Sequence, residues 1–193
     1  MTNIYKRGFD IFFSLLGIIL LSPVYLVIYL AVRITEGCPV IYSQERIGLN
    51  GEPFLIYKFR SMVNNTEENG TPMLAEEDDC RLTRIGRILR NTHLDELPQL
   101  WNVLKGDMSF VGPRPERKYF IKRIMEHDKR YELLYQVRPG ITSNATIYNG
   151  YTNTMEKMLR RLEMDLHDMS HQSLLSDIRI IAKTVLSIMG IRR

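Results

Sequence analysis

Two adjacent carboxylates, Asp95 and Glu96, stand just ahead of Pro98, and an apolar series of Leu97, Leu100, Trp101 and Leu104 follows at helical spacing up to Gly106. Proline is at home in a first helical turn, where its missing N–H has no bond to lose. Pro98 therefore predicts a helix that starts over residues 94–97 and carries both acids at its N-terminus. Acids in that place are ordinary complements of the helix dipole. The same free N–H groups and partial positive charge also attract phosphate. A carboxylate beside them stays ionised, as a nucleophile or as a ligand for a hard cation such as Mg2+. Both readings stand on the same residues.

Chemistry on phosphate needs cations nearby. In Gly112-Pro113-Arg114-Pro115 two prolines fix the backbone around an arginine, which lowers the ordering cost of aiming its guanidinium at a phosphate. The competing reading is a rigid surface turn with an idle arginine. Tyr57-Lys58-Phe59-Arg60 and Arg138-Pro139-Gly140 set cations in similar contexts. Leu82, Ile85, Ile88 and Leu89 recur at helical spacing among Arg81, Arg84, Arg87 and Arg90, which predicts a short basic amphipathic helix facing solvent, lipid headgroups or phosphates.

These residues need elements to position them. With 45% hydrophobic and 25% charged residues, a chain of 193 residues supports one modest core with an N-terminal appendage. The net charge of +4 suits nucleic acid, an anionic membrane surface or a phosphorylated substrate and does not choose among them. Cys38 and Cys80 have no ligand spacing, so neither a disulfide framework nor a zinc site is indicated. Residues 11–32 carry no charge, and a straight helix of that length would reach roughly 33 Å, enough to span a bilayer core. Ser22-Pro23 breaks it in the middle, and Lys6, Arg7 and Arg33 flank it, so a re-entrant helix with both ends on the cytoplasmic side competes with a simple span. The runs 39–43 and 54–59 around Gly48-Leu49-Asn50-Gly51 predict a hairpin. Residues 63–79 predict a surface loop that closes over a ligand. Two amphipathic helices follow near the C-terminus, over 155–169 and 174–189. The second is apolar around much of its circumference, with Arg192 and Arg193 beyond it as headgroup cations.

Taken together the chain resembles the bacterial sugar transferase family, the small monotopic phosphoglycosyl transferases. The likeness rests on Lys6-Arg7 with Phe9-Asp10, the Ser22-Pro23 break, IYKFRSM, LDELPQLWNVLKGDMSFVGPRPE and the RPGIT at 138–142. The resemblance implies a mainly α fold with a small β-hairpin: a re-entrant helix-break-helix over 1–36 and a compact cytoplasmic catalytic domain with interfacial amphipathic helices over 37–193. It implies a monotopic enzyme of the bacterial plasma membrane that moves a sugar 1-phosphate from a UDP-sugar to polyprenyl phosphate, undecaprenyl phosphate in a bacterium, as the first membrane step of glycoconjugate synthesis. Asp95 would be the nucleophile, forming a phosphosugar ester as UMP leaves. Glu96 would serve as metal ligand or base, with Mg2+ held by Asp95 and Glu96. Arg90 and Arg114 carry over as phosphate contacts, with Lys58, Arg60 and Arg138 as further candidates. An oligomer and contacts with downstream glycosyltransferases are left open.

Many members continue after RPGIT with a glycine, a tryptophan and an Ala-Gln pair, where this chain has Ser143-Asn144-Ala145-Thr146, so no relative's sugar preference transfers. Lacking the extra N-terminal helices of larger members, the chain is expected to be a minimal catalytic unit. A catalytically silent relative would lack the acidic pair or Arg114, and both are present. Nucleic acid is not an expected partner, because the acidic pair at the centre of the arginines would repel its backbone.

Overall fold

The computed structural model describes residues 4–63, 72–74, 79–150 and 152–190. Most of the expected ligand-covering loop, and Arg192 and Arg193, lie outside the described residues. The uncharged segment forms α1 (Ile4–Leu20) and α2 (Ser22–Glu36), which meet at 61°. Pro23 occupies the first turn of α2, where its missing N–H is harmless, and Ser22 Oγ donates to the Ile19 carbonyl at 2.8 Å. No single described helix is long and apolar enough to cross a membrane, whereas the bent pair together has the length and composition. The pair exposes Phe12, Ile19, Leu20, Leu26 and Val27 on one side and buries Asp10, Ser14, Ile28 and Val32 on the other.

The predicted hairpin is present as β1 (Ile41–Ile47) and β2 (Pro53–Phe59), antiparallel from Ile41↔Phe59 to Ile47↔Pro53. Asn50 takes the left-handed conformation that its tight turn demands. The basic helix is α3 (Arg84–Asn91), capped by Thr83, whose hydroxyl accepts from Gly86 N at 2.9 Å. Its expected apolar stripe holds only in part. Leu82 lies outside the helix in a bridge to Met62, and Ile88 is 62% exposed, while Ile85 and Leu89 pack inward. The reason is Gly86, where a Cβ would stand 1.8 Å from the Ser61 carbonyl oxygen, so α3 rests on the chain through its backbone.

After α4 (Gln99–Lys105) and β3 (Ser109–Val111) come α5 (Lys118–His127), a 3-10 segment (Lys129–Gln136) and β4 (Gly140–Thr142). The chain then forms α6 (Asn144–Tyr148), α7 (Met155–Ser170) and α8 (Leu174–Ile188). The last two match the expected C-terminal helices, and α8 leaves Leu175, Ile178, Val185 and Ile188 exposed. β3 and β4 form a short parallel pair that the sequence pattern did not predict.

Burial is divided among three clusters: α5, the long 3-10 segment and α7 around Phe120, Tyr131 and Leu162; α2, α3 and β2 around Val32, Phe59 and Leu89; and β2 with α4 around Ile56, Val103 and Met108. Polar ties add to them at the start of α1. Lys6 donates to the Val111 carbonyl at 3.0 Å and pairs with Asp177 of α8, and Asp10 accepts from Ser109 Oγ and Phe110 N. Contacts of both the apolar and the polar kind thus cross residue 36.

Candidate active site

α3 ends at Asn91, and His93 turns the chain with a left-handed backbone (φ 55), a conformation that non-glycine residues seldom adopt. The next three residues, Leu94–Glu96, form a 3-10 turn, and α4 starts only at Gln99, with Pro98 as its N-cap. This corrects the expected placement. Asp95 and Glu96 are on a separate short turn ahead of the helix, because Pro98 takes the cap itself.

The buried side of α4 also differs from expectation. Trp101 is 53% exposed, whereas Gln99, Leu100, Asn102 and Val103 are buried. Asn102 acts as a substitute strand edge: its Oδ1 accepts from Tyr57 N at 3.1 Å, and its Nδ2 donates to the Leu55 carbonyl at 2.7 Å. That bracket fixes β2 against α4 and so presents Lys58 to the acidic turn. The far end of α4 is closed by cations and a left-handed Gly106. Arg7 donates to the Val103 and Leu104 carbonyls, and Arg138 to the Gly106 carbonyl at 2.8 Å.

Arg114 is positioned by a backbone clasp. Gly112 N donates to the Thr142 carbonyl, and Gly140 N donates to the Pro113 carbonyl at 2.9 Å. A Cβ on Gly140 would stand 2.1 Å from Gly112 N, so the two glycines permit an approach that no side chain allows. The GPRP and RPG motifs, separate signals in the sequence, are thus two halves of one clamp.

Glu96 Oε1 lies 2.6 Å from Lys58 Nζ and 3.6 Å from Arg114 Nη2. Burial pushes the Glu96 carboxyl up, but these two cations outweigh it and hold it at about 2. Asp95 is the opposite case. It is 5% exposed, and its Oδ1 is buried without a hydrogen-bond partner. Burial raises its pKa, the neighbouring Glu96 charge adds to this, and Lys58, Arg90 and His93 pull it down only in part. Two adjacent carboxylates are therefore pushed apart in acidity, as paired acids with different tasks are in enzymes.

The structure brings together Asp95, Glu96, Lys58, Arg90 and Arg114. It does not bring Arg60 or Arg138 to them. Arg60 is buried and donates to the Glu36 carbonyl at the end of α2, and Arg138 closes the end of α4 remote from the acids. Both cations satisfy orphan helix carbonyls, the use that a rigid context serves equally well. Sequence reading passed over Glu116, which receives Arg161 at 2.9 Å and Arg46 at 3.5 Å beside Arg114, and Asp165, buried on α7. A signal for Asp165 existed: it follows Met158 and Leu162 on the buried side of an amphipathic helix, where a carboxylate is out of place.

Among the described residues no group of three or more His, Cys, Asp or Glu side chains could hold a metal ion. Two carboxylates remain, one with an unpartnered buried oxygen. Asp95 Oδ1 has the character of a hard-cation ligand, while Glu96 Oε1 is already engaged by Lys58 and Arg114.

Residues 1–190 match the family model described as bacterial sugar transferase. The chain is 38% identical over 184 residues to a UDP-N-acetylgalactosamine-undecaprenyl-phosphate N-acetylgalactosaminephosphotransferase of Aeromonas hydrophila, covering 95% of this chain and 43% of the relative. It is 41% identical over 187 residues to a UDP-glucose:undecaprenyl-phosphate glucose-1-phosphate transferase of Escherichia coli K12, covering 96% and 40%. A protein of the same printed activity from Caulobacter vibrioides is 40% identical over 194 residues, covering 97% and 70%. The chain thus spans about two fifths of the length of the first two relatives.

Proposed function

The chain belongs to the bacterial sugar transferase family, and from that membership we propose that it transfers a sugar 1-phosphate from a UDP-sugar to undecaprenyl phosphate through an aspartyl intermediate. The observation that carries the reading is the buried, unpartnered Asp95 Oδ1 beside a Glu96 already neutralised by Lys58 and Arg114. The Asp95 carboxylate attacks the β-phosphorus of the donor, forming a P–O bond as the bond to the α-phosphate oxygen breaks and UMP leaves. A phosphate oxygen of the polyprenyl acceptor then attacks the same phosphorus, and Asp95 is released as a carboxylate. Arg114 and Arg90 steady the charge on the transferred phosphoryl group. Asp95 and Glu96 would hold Mg2+, which when bound shields the repulsion between an anionic nucleophile and an anionic substrate.

The bent pair α1–α2 enters the cytoplasmic leaflet of a bacterial plasma membrane and returns, and the exposed apolar side chains of both helices face the acyl chains. The acidic pair then works at headgroup level, where the acceptor phosphate lies. The test is UMP release by the full chain in detergent from a panel of UDP-sugars, with undecaprenyl phosphate and Mg2+. Release from at least one donor, lost on chelation of the metal, is expected. A folded, membrane-inserted protein that releases UMP from none of them refutes the reading.

The acidity of Asp95 adds a pH prediction. Burial raises its pKa, so the ionised nucleophile is lost, as pH falls, earlier than for an ordinary aspartate. The acid limb of kcat/KM is expected above the usual carboxylate value of about 4. A profile flat down to that value would show that the Asp95 pKa is not raised in the working enzyme.

A further inference from the structure

A cavity of about 200 Å3 lies between the Gly112-Pro113 turn, the start of α6 and the adjoining ends of α7 and α8, with Asn144, Asp165 and Met169 in its lining. That volume is below the range of sites for drug-sized ligands and fits a single small ring. Pro113 lines the cavity, and the next residue, Arg114, reaches Glu96. Asp165 borders both this cavity and the smaller crevice lined by Arg114 and Glu116. The cavity wall and the arginine that reaches Glu96 therefore belong to one short turn.

Of the lining residues, Asn144 and Asp165 each have an Oδ1 buried without a hydrogen-bond partner, and Asp165 is only 3% exposed. The rest of each side chain is engaged. Asn144 Nδ2 donates to Asp168 Oδ1 at 2.8 Å, and the Ser143 hydroxyl bonds to Asp165. The two orphan acceptors are thus held in place, and unsatisfied buried acceptors call for donors from outside the chain. The lining mixes the carboxylates of Asp165, Asp168 and Asp177, the last paired with Lys6, with the cations Arg179 and Lys183. A uracil ring offers one N–H donor, whereas a hexose offers several hydroxyls.

We infer that this cavity receives the sugar ring of the UDP-sugar donor, with Asn144 and Asp165 accepting hydrogen bonds from its hydroxyl or acetamido groups. The inference rests on the transferase reading above. It also places Ser143 and Asn144, where this chain departs from many members, at the sugar.

The experiment compares Asn144→Ala, Asp165→Asn and Met169→Phe with wild type, measuring KM for the preferred UDP-sugar, inhibition by UMP, and thermal melting. Loss of a buried hydrogen bond, or filling of the cavity by the bulkier aromatic ring of Met169→Phe, is expected to raise the donor KM about tenfold with the UMP inhibition constant unchanged, because UMP lacks the transferred sugar of the donor. Met169→Phe removes no polar group and carries the test if Asp165→Asn fails to fold. An unchanged KM in the folded variants overturns the inference. A UMP constant that weakens in step with KM does so too, because the cavity would then hold the nucleoside. Failure of the transferase reading is separate: wild type would itself release no UMP.

Discussion

Asp95→Asn is expected to lower UMP release by about four orders of magnitude or more while leaving the protein folded. The substitution keeps the shape of the side chain and removes only the charge and the nucleophilic oxygen pair. In the wild type that charge is held at a cost, because burial raises the Asp95 pKa. An acid whose folded pKa lies above its unfolded value subtracts stability at every pH above the unfolded pKa, and the penalty fades as pH falls through the folded one. The amide escapes that penalty at neutral pH, so the inactive variant should melt no lower than wild type, the usual trade between stability and a poised active group. UMP release, acceptor-dependent transfer and a thermal melt test this together. A variant that keeps a tenth of wild-type UMP release would remove Asp95 from the covalent step.

Arg114→Met is expected to reduce transfer by about 10^2- to 10^3-fold at saturating donor, the scale on which loss of one aimed charge acts in other enzymes. Lys58 and Arg114 both address Oε1 of Glu96, and this shared oxygen keeps two cations aligned before a substrate phosphate arrives. Arg114→Lys is expected to recover only part of the loss, since an ammonium lacks the planar fork of a guanidinium. Equal activity of the lysine variant and wild type would reduce Arg114 to a counter-ion for Glu96. Glu96 itself moves the opposite way from Asp95. Its carboxyl is held at about 2, so it adds stability above the ordinary glutamate value, and this is lost as pH falls towards 2.

The parts of this site that were legible in sequence are those written in local chemistry. The Ser22-Pro23 break and the Gly48-to-Gly51 hairpin each follow from proline, glycine or periodicity within a few residues, whereas the acidic pair was expected on the helix and sits on the turn before it. What was not legible depends on distant partners. Asn102 reads as a polar interruption of an apolar helix until β2 lies beside it, and Trp101 reads as core until Asn102 takes the inner face. Each strand of the β3–β4 pair has three residues, too few to show an alternating pattern, and the two meet only because Gly112 and Gly140 permit backbone contact. Arg60 and Arg138 have the residue type and rigid setting of phosphate contacts. Only the position of the helix ends they serve tells them apart from Arg114.

The ties at the start of α1 bear on how this protein can be handled. Arg7 closes α4, Lys6 grips α8, and Tyr25 of α2 donates to the Leu97 carbonyl just behind the acidic turn. The bent helix pair is therefore scaffolding for the acidic turn and α4. Trimming the chain at residue 37 would strip the Val103 and Leu104 carbonyls of Arg7 and unroof Phe59 and Leu89, so a preparation for crystals or assays has to keep the whole bent pair.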